Sequence, residues 1–227
     1  MDLGLQIAAS GMVAEQAHQS QLANDLANAS TPGYKPDETP QQSFGEVLLG
    51  SEGRPVGSVV QGVALGKTFT NLNPSGLQET GEPLDFGIAG SGFFAVQSAQ
   101  GVRYTRDGQF TTSATGQLTD ANGNPVLGQG GAPIQVPAGG HVPASALGVF
   151  ELSGAAKQGE NLFTGTSTGK ATGTVRQGAL ESSAVDAAKV MVEMISSLRS
   201  FQSGQQAIQA IGQTLQAAST QVGTLGG

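Results

Sequence analysis

The chain is predicted to fold as an α+β protein, with long N- and C-terminal helices that pair as a coiled-coil-like domain and a small antiparallel β domain between them. Three observations predict this. Apolar residues recur at seven-residue spacing near both ends, at Leu5, Met12 and Leu26 and again at Met194, Phe201, Ile208, Leu215 and Val222. The middle switches to short runs of β-branched and aromatic residues punctuated by turn dipeptides. Its 35 Gly and 10 Pro follow no strict period, which means many turns rather than a collagen-like repeat.

The first helix is expected from about Leu3 to Ala29, with Ala8, Ala9, Leu22, Ala23 and Ala29 filling the stripe beside the heptad positions. It stops at Ser30-Thr31-Pro32-Gly33, because Pro32 disfavours helical geometry at Thr31 and Gly33 permits a turn. At 1.5 Å per residue it would be roughly 40 Å long. Residues 34–76 contain Pro36, Pro40, Pro55 and Pro74 and little periodicity, so they are expected either as an extended connection along a surface or a neighbouring molecule, with one short apolar piece, Phe44 to Leu49, or as a segment disordered in the free chain.

Strands are expected at Leu84–Ile88, Phe93–Gln97, Val102–Thr105, Gln109–Thr112, Val126–Leu127, Ile134–Val136 and Leu147–Leu152, with Asp107-Gly108 and Asn122-Gly123 as tight hairpin turns. The last helix should begin near Ser183, which with Asp186 forms a capping-box pattern. Ile211, Ala218 and Leu225 follow Ile208, Leu215 and Val222 by three, completing a coiled-coil-like seam roughly 60 Å long. Gly204 and Gly212 each cost a helix about 1 kcal/mol relative to Ala, which implies close approach of another backbone. The expected division is therefore 1–33, 34–76, 77–175 and 176–227.

Composition excludes several functions. The formal charge is −7 with no basic run, so a phosphate backbone has nothing to bind, and Arg103 and Arg106 are expected as solvated strand residues. There is no Cys, hence no disulfide or thiolate metal site. The N-terminus lacks the charge and apolar core of a cleaved secretory signal, and no stretch approaches eighteen apolar residues, so no membrane insertion is expected. Only 5% of residues are aromatic and none is Trp, too few for a pair of Ala-rich helices to offset their own ordering; burial against further copies would supply the rest.

Catalytic patterns are weak throughout. Asp120, Asn122 and Asn124 alternate like calcium ligands, but Pro125 stands where an EF-hand loop needs Gly and Gly131 where it needs its bidentate Glu. Gly90-Ser91-Gly92 lacks the outer glycines of a nucleophile elbow. His18 and His141 lie far apart with no nearby acidic ligand pattern, and Asp85, Asp107 and Asp120 sit at strand ends or turns, where Asp is ordinary. No catalytic, cofactor or metal residues are expected.

Several strings match one family in order. Leu22-Ala23-Asn24-Asp25-Leu26-Ala27-Asn28 runs into Ser30-Thr31-Pro32-Gly33-Tyr34-Lys35. Thr80-Gly81-Glu82-Pro83-Leu84-Asp85-Phe86 precedes Ile88-Ala89-Gly90-Ser91-Gly92-Phe93-Phe94, and Tyr104-Thr105-Arg106-Asp107-Gly108 follows. Leu118-Thr119-Asp120 and Gly123-Asn124-Pro125-Val126 come next, and Gly178-Ala179-Leu180-Glu181-Ser182-Ser183 opens the last helix.

Together these resemble the bacterial flagellar axial proteins, the rod and hook group of the basal body, and the length favours distal or proximal rod over hook. The resemblance implies a structural subunit of the rod, polymerising through its terminal helices into a helical tube that transmits torque from motor to hook. It also implies export by the flagellar type III apparatus without a cleaved signal peptide, and a location in the rod where it crosses the periplasm. Implied partners are further copies of the chain, adjacent rod and hook proteins, and the surrounding ring proteins. The expected subunit-interface residues are Leu5, Met12, Leu22, Asn24, Leu26, Asn28, Met194, Phe201, Ile208, Ile211, Leu215 and Val222. The alternative from another class is a secreted β-rich cell-wall-binding protein or peptidoglycan-acting enzyme, with Asp85, Asp107 and Asp120 as candidate carboxylates.

Overall fold

Helix α1 spans Asp2–Ala27 and ends where the Pro32 signal required, with Gly33 beyond it at φ 66°. The computed structural model describes the backbone of residues 2–43, 46–51, 54–60, 62–159 and 161–224, and the side chains of 4–42, 62–159 and 161–217. Phe44 and Leu225, and the side chains of Ala218 and Val222, lie outside the described residues. The chain divides into two units, residues 1–26, 37–69 and 187–227 in the first, and 27–36 with 70–186 in the second.

In the first unit α1 is followed by strands β1 (Asp37–Glu38), β2 (Gln41–Ser43), β3 (Glu46–Ser51), β4 (Arg54–Val60), β5 (Val63–Leu65) and β6 (Phe69–Thr70). They pair β1 with β6, β2 with β5 and β3 with β4, one long hairpin built from nested ladders. The stretch expected to run as an extended connection is thus paired with itself. Its prolines concealed this: Pro40 falls between β1 and β2, and Pro55 pairs with Gly50 where the register shifts, positions at which a missing N–H breaks no regular ladder. The hairpin base packs on α1. The N–H of Val63 donates to the Ser10 hydroxyl (3.3 Å), and the Gln21 side-chain amide donates to the Asp37 carbonyl.

The strands of the second unit are β7 (Leu77–Glu79), β8 (Phe86–Ala89), β9 (Phe93–Ser98), β10 (Gly101–Thr105), β11 (Thr111–Thr112), β12 (Leu118–Thr119), β13 (Val126–Leu127), β14 (Val149–Lys157), β15 (Leu162–Lys170), β16 (Thr174–Gln177) and β17 (Ala179–Glu181). Strands β9, β10, β15 and β14 each pair with the next, and β14 returns to β9, closing a four-stranded antiparallel barrel. β13 extends the β14 side of β9, pairing Val126 with Val96. The continuous apolar run Phe93-Phe94-Ala95-Val96 is buried on both faces, as an unalternating strand should be. Phe94 and Val96 enter a cluster with Phe86, Ile88, Phe110, Leu118 and Leu147, while Phe93 and Ala95 join Tyr104, Leu127 and Phe163.

Two local expectations change. Ile134–Val136 is no strand; it is held by single bonds, Ile134 N–H to the Val126 carbonyl (3.0 Å) and Val136 N–H to Gly116 (2.8 Å). Asp107-Gly108 is not a hairpin turn either. Gly108 is needed for contact, since a Cβ there would lie 1.6 Å from the Phe86 carbonyl oxygen. The Asn122-Gly123 turn is present, with Gly123 at φ 80°.

Helix α2 (Ala187–Thr224) belongs to the first unit and runs antiparallel to α1. Gly4 faces Ile211, Met12 faces Gly204, and the Ser197 hydroxyl donates to the Glu15 carboxylate at 2.5 Å. It starts four residues after Ser183. That serine caps nothing in α2: its hydroxyl donates to the Asn28 carbonyl (3.0 Å) and accepts the Val185 N–H (3.3 Å).

Candidate assembly surface

The seam side of α2 carries Val190, Met194, Ser197, Phe201, Gly204, Ile208 and Ile211, all buried or half-buried. Of the expected interface residues, Leu22 is buried and Met12, Leu26, Met194, Phe201, Ile208 and Ile211 are half-buried. The helix pair within one chain takes up much of this face. Leu5 and Leu215 are exposed, and so is Asn24. Asn28 is buried, its side-chain oxygen 3.1 Å from the Thr31 hydroxyl.

α1 is approached from two sides, by α2 at Met12 and Glu15 and by the hairpin at Ser10 and Gln21, so its covered arc is wider than one heptad stripe. Close approach at Gly204 comes from a side chain and not from backbone. A Cβ there would sit 2.9 Å from Met12 Cγ, whereas one on Gly212 would meet nothing within 4 Å.

Four exposed residues of α2 escaped the heptad analysis: Met191, Val192, Ile195 and Leu198. The signal was present, because 191, 195 and 198 repeat the seam spacing one position over. It was masked by the stronger repeat beside it.

In the second unit three of the matching strings converge on one buried ionic cluster. Lys35 follows the helix-stop sequence, Arg106 follows β10, and Glu181 ends β17; all three side chains are sealed from solvent. Glu181 Oε1 accepts from Lys35 Nζ (2.7 Å) and from the Ser75 N–H (2.7 Å), and Oε2 accepts from Arg106 Nη1 (3.1 Å). Lys35 Nζ completes its shell on the Asn73 carbonyl (2.6 Å) and the Ser75 hydroxyl (3.2 Å). Arg106 is therefore a buried cation and not the solvated strand residue expected of it; it also donates to the Gly90 carbonyl (3.0 Å) and lies over the Phe93 ring. One carboxylate faces two basic side chains in a site sealed from bulk solvent. Burial lowers the pKa of Lys35, opposed by its hydrogen bond and charge interaction with Glu181.

Backbone bonds reinforce the cluster. Gly33 N–H donates to the Glu181 carbonyl (2.8 Å) and Ala184 N–H to the Tyr34 carbonyl (3.0 Å), so the segment that follows α1 is stitched to the segment that precedes α2. Lys157 Nζ donates to the Lys35 carbonyl (2.8 Å) and sits over the Tyr34 ring.

The candidate catalytic groups are engaged otherwise. Asp120 accepts the Asn122 and Asn124 N–H groups (2.9 and 2.7 Å) and the Asn124 amide, which commits its carboxylate to the turn. Burial raises the pKa of Asp107, opposed by the Gln109 N–H and the Asn161 amide. His18 does have acidic neighbours in space: Glu15 one turn earlier and Glu193 across the helix pair share a polar cleft of about 320 Å³ with it. Among the described residues no group of three or more acidic or imidazole side chains could hold a metal ion, and no helix is long and apolar enough to cross a membrane.

Family models match three regions: Flagella basal body rod protein at 5–35, Flagellar hook protein FlgE/F/G D1 domain at 87–152, and Flagellar basal body rod FlgEFG protein C-terminal at 176–221. Each region contributes one member of the ionic cluster. The chain is 34% identical over 229 aligned positions to the flagellar basal-body rod protein FlgF of Caulobacter vibrioides, covering 89% of this chain and 91% of that protein. The chain belongs to the flagellar basal-body rod protein family. Other members of the rod family include FlgG of Buchnera aphidicola, 30% identical over 255 positions and covering 93% of this chain and 96% of the relative. FlgF of Rhizobium meliloti is 36% identical over 155 residues, 68% of this chain, and the match spans 61% of that protein's length. In this chain the two basic side chains and the carboxylate thus fall one to each matched segment, which ties the three segments together.

Proposed function

We propose that this chain is a structural, non-enzymatic subunit of the flagellar basal-body rod that polymerises through its terminal helices. The observation that carries the reading is an antiparallel helix pair whose longer member, α2, leaves a second apolar face in water. An exposed contiguous apolar face on a soluble chain is an interaction surface. The family match supports the same conclusion. The residues proposed to take part in subunit packing are Leu5, Met12, Leu22, Asn24, Leu26, Asn28, Met194, Phe201, Ile208, Ile211, Leu215 and Val222, the half-buried ones by fixing the helix pair that is presented.

The finer reading assigns residues 1–33 and 176–227 to an axial helical domain and 77–175 to a β domain, joined by 34–76. Its partners are further copies, adjacent rod and hook proteins and the surrounding ring proteins. It reaches the periplasm-crossing rod by type III export. The reading is tested with Ile208→Asp and Leu215→Asp in the full chain. Both should be missing from purified basal bodies, while near-ultraviolet circular dichroism shows an intact second unit. Normal incorporation of both variants would overturn polymerisation through these helices.

A further inference from the structure

The apolar positions of α2 form two stripes. Met194, Phe201, Ile208 and Ile211 share the face that meets α1, whereas Met191, Val192, Ile195 and Leu198 turn to solvent with 48, 67, 54 and 47% exposure. Single exposed apolar residues are ordinary, but four contiguous ones at coiled-coil spacing are shaped to receive another helix. Together they offer about 400 Å² of surface, roughly half of one side of a stand-alone interface. Such a contact is too small to hold a dimer and is suited to repetition in an array. Arg199 shares the side of the helix that carries Ile195 and Val192, while Lys189 and Glu193, 3.7 Å apart, lie off the stripe.

The distal half of the same helix has the matching character. No charged residue follows Arg199, and the seam spacing continues past Ile211, which meets Gly4, to Leu215, still 38% exposed. This distal segment is uncharged, apolar on one stripe and lined elsewhere by Gln, Ser and Thr, so it can enter an apolar groove without stranding a charge.

We infer that the turn around Leu215 of one copy docks onto the Met191–Ile195–Leu198 stripe of a second copy. Two different patches of the same chain meet, so the contact is head-to-tail and does not close on itself. The inference rests on the rod reading and names the partner surface for it.

The chain has no Cys, so Ile195→Cys with Leu215→Cys introduces the only two thiols. A second pair, Leu198→Cys with Leu215→Cys, is carried in parallel. Purified basal bodies are treated with a short bis-maleimide and separated under denaturing conditions. The expected result is a ladder of dimer, trimer and larger products from each double variant and none from any single variant. Dimer from Leu215→Cys alone indicates a symmetric contact and overturns the inference, as does cross-linking to a protein of another sequence. Basal bodies that contain both double variants yet give no ladder also overturn it, leaving the rod reading intact. Absence of the wild-type chain from basal bodies overturns the rod reading itself.

Discussion

Replacing Glu181 by Gln changes one group at the centre of the ionic cluster and almost nothing in volume. The carboxylate is fully buried and holds Lys35 and Arg106 by hydrogen bonds of 2.7 and 3.1 Å, with the Ser75 N–H as a third donor. A carboxamide offers one acceptor oxygen, turns an NH₂ toward the remaining donors, and leaves two cations without a counter-charge. Hydrogen bonds to charged groups are worth about 1.5–3 kcal/mol each, and removing one partner of a buried ion pair costs about 3–5 kcal/mol, so both routes lead to a loss of about 3–5 kcal/mol. Against a total of about 5–15 kcal/mol for a domain, that is a large fraction.

Both tyrosines, Tyr34 and Tyr104, lie in the second unit, and there is no Trp, so tyrosine near-ultraviolet circular dichroism during urea unfolding reports on this unit directly. The pH dependence provides an independent check. Lys35 has its folded pKa lowered by burial, so the folded chain releases that proton before the unfolded chain does. Stability therefore rises with pH from the folded pKa up to the ordinary value of 10.5. In Glu181→Gln the opposing interaction is gone, the folded pKa falls further, and the rise begins at lower pH. A variant within 1 kcal/mol of wild type, with an unchanged pH profile, would refute the view that the cluster holds this unit together.

Other substitutions test separate parts of the argument. Gly33→Ala forces a side chain onto a residue at φ 66° and places its Cβ 2.4 Å from the Arg106 carbonyl carbon, so thermal unfolding should drop by many degrees with the same tyrosine signal lost. Asp107→Asn removes a carboxylate whose folded pKa burial has raised above 3.8. In wild type that group contributes stability below pH 3.8 which is lost as pH rises through its folded pKa, so the variant should melt higher at pH 7 and its advantage should vanish toward pH 4. Gly212→Ala meets nothing within 4 Å and should stabilise α2 by about 1 kcal/mol, measured as helical circular dichroism against urea. Gly204→Ala gains the same propensity but must displace Met12, so its net change should be smaller.

Periodic features were legible because they depend on neighbours in sequence. The seven-residue spacing located both helices, Pro32-Gly33 located the end of α1, and the apolar run at Phe93–Gln97 located a strand. The hairpin of 37–70 was not legible. Its ladders pair residues as far apart as β1 and β6, and its prolines sit between ladders or at a register shift, where they disrupt composition without disrupting pairing. Ser183 illustrates the same failure at a helix end: local spacing suggested a cap, but the hydroxyl is taken by the Asn28 carbonyl, 155 residues earlier.

By itself the sequence determined the two terminal helices, the stop after the first and the strands at Phe93–Gln97 and Val102–Thr105, each settled within a few residues by sterics and apolar periodicity, whereas β15, β16 and β17 and the chain's course at Asp107-Gly108 were not. Only the tertiary structure decided that Lys35, Arg106 and Glu181 share one buried site, and which stripe of α2 is covered by α1 and which is exposed. Charge pairing and burial depend on distance through space, and the fold of the second unit brings together residues that sequence order keeps up to 146 positions apart.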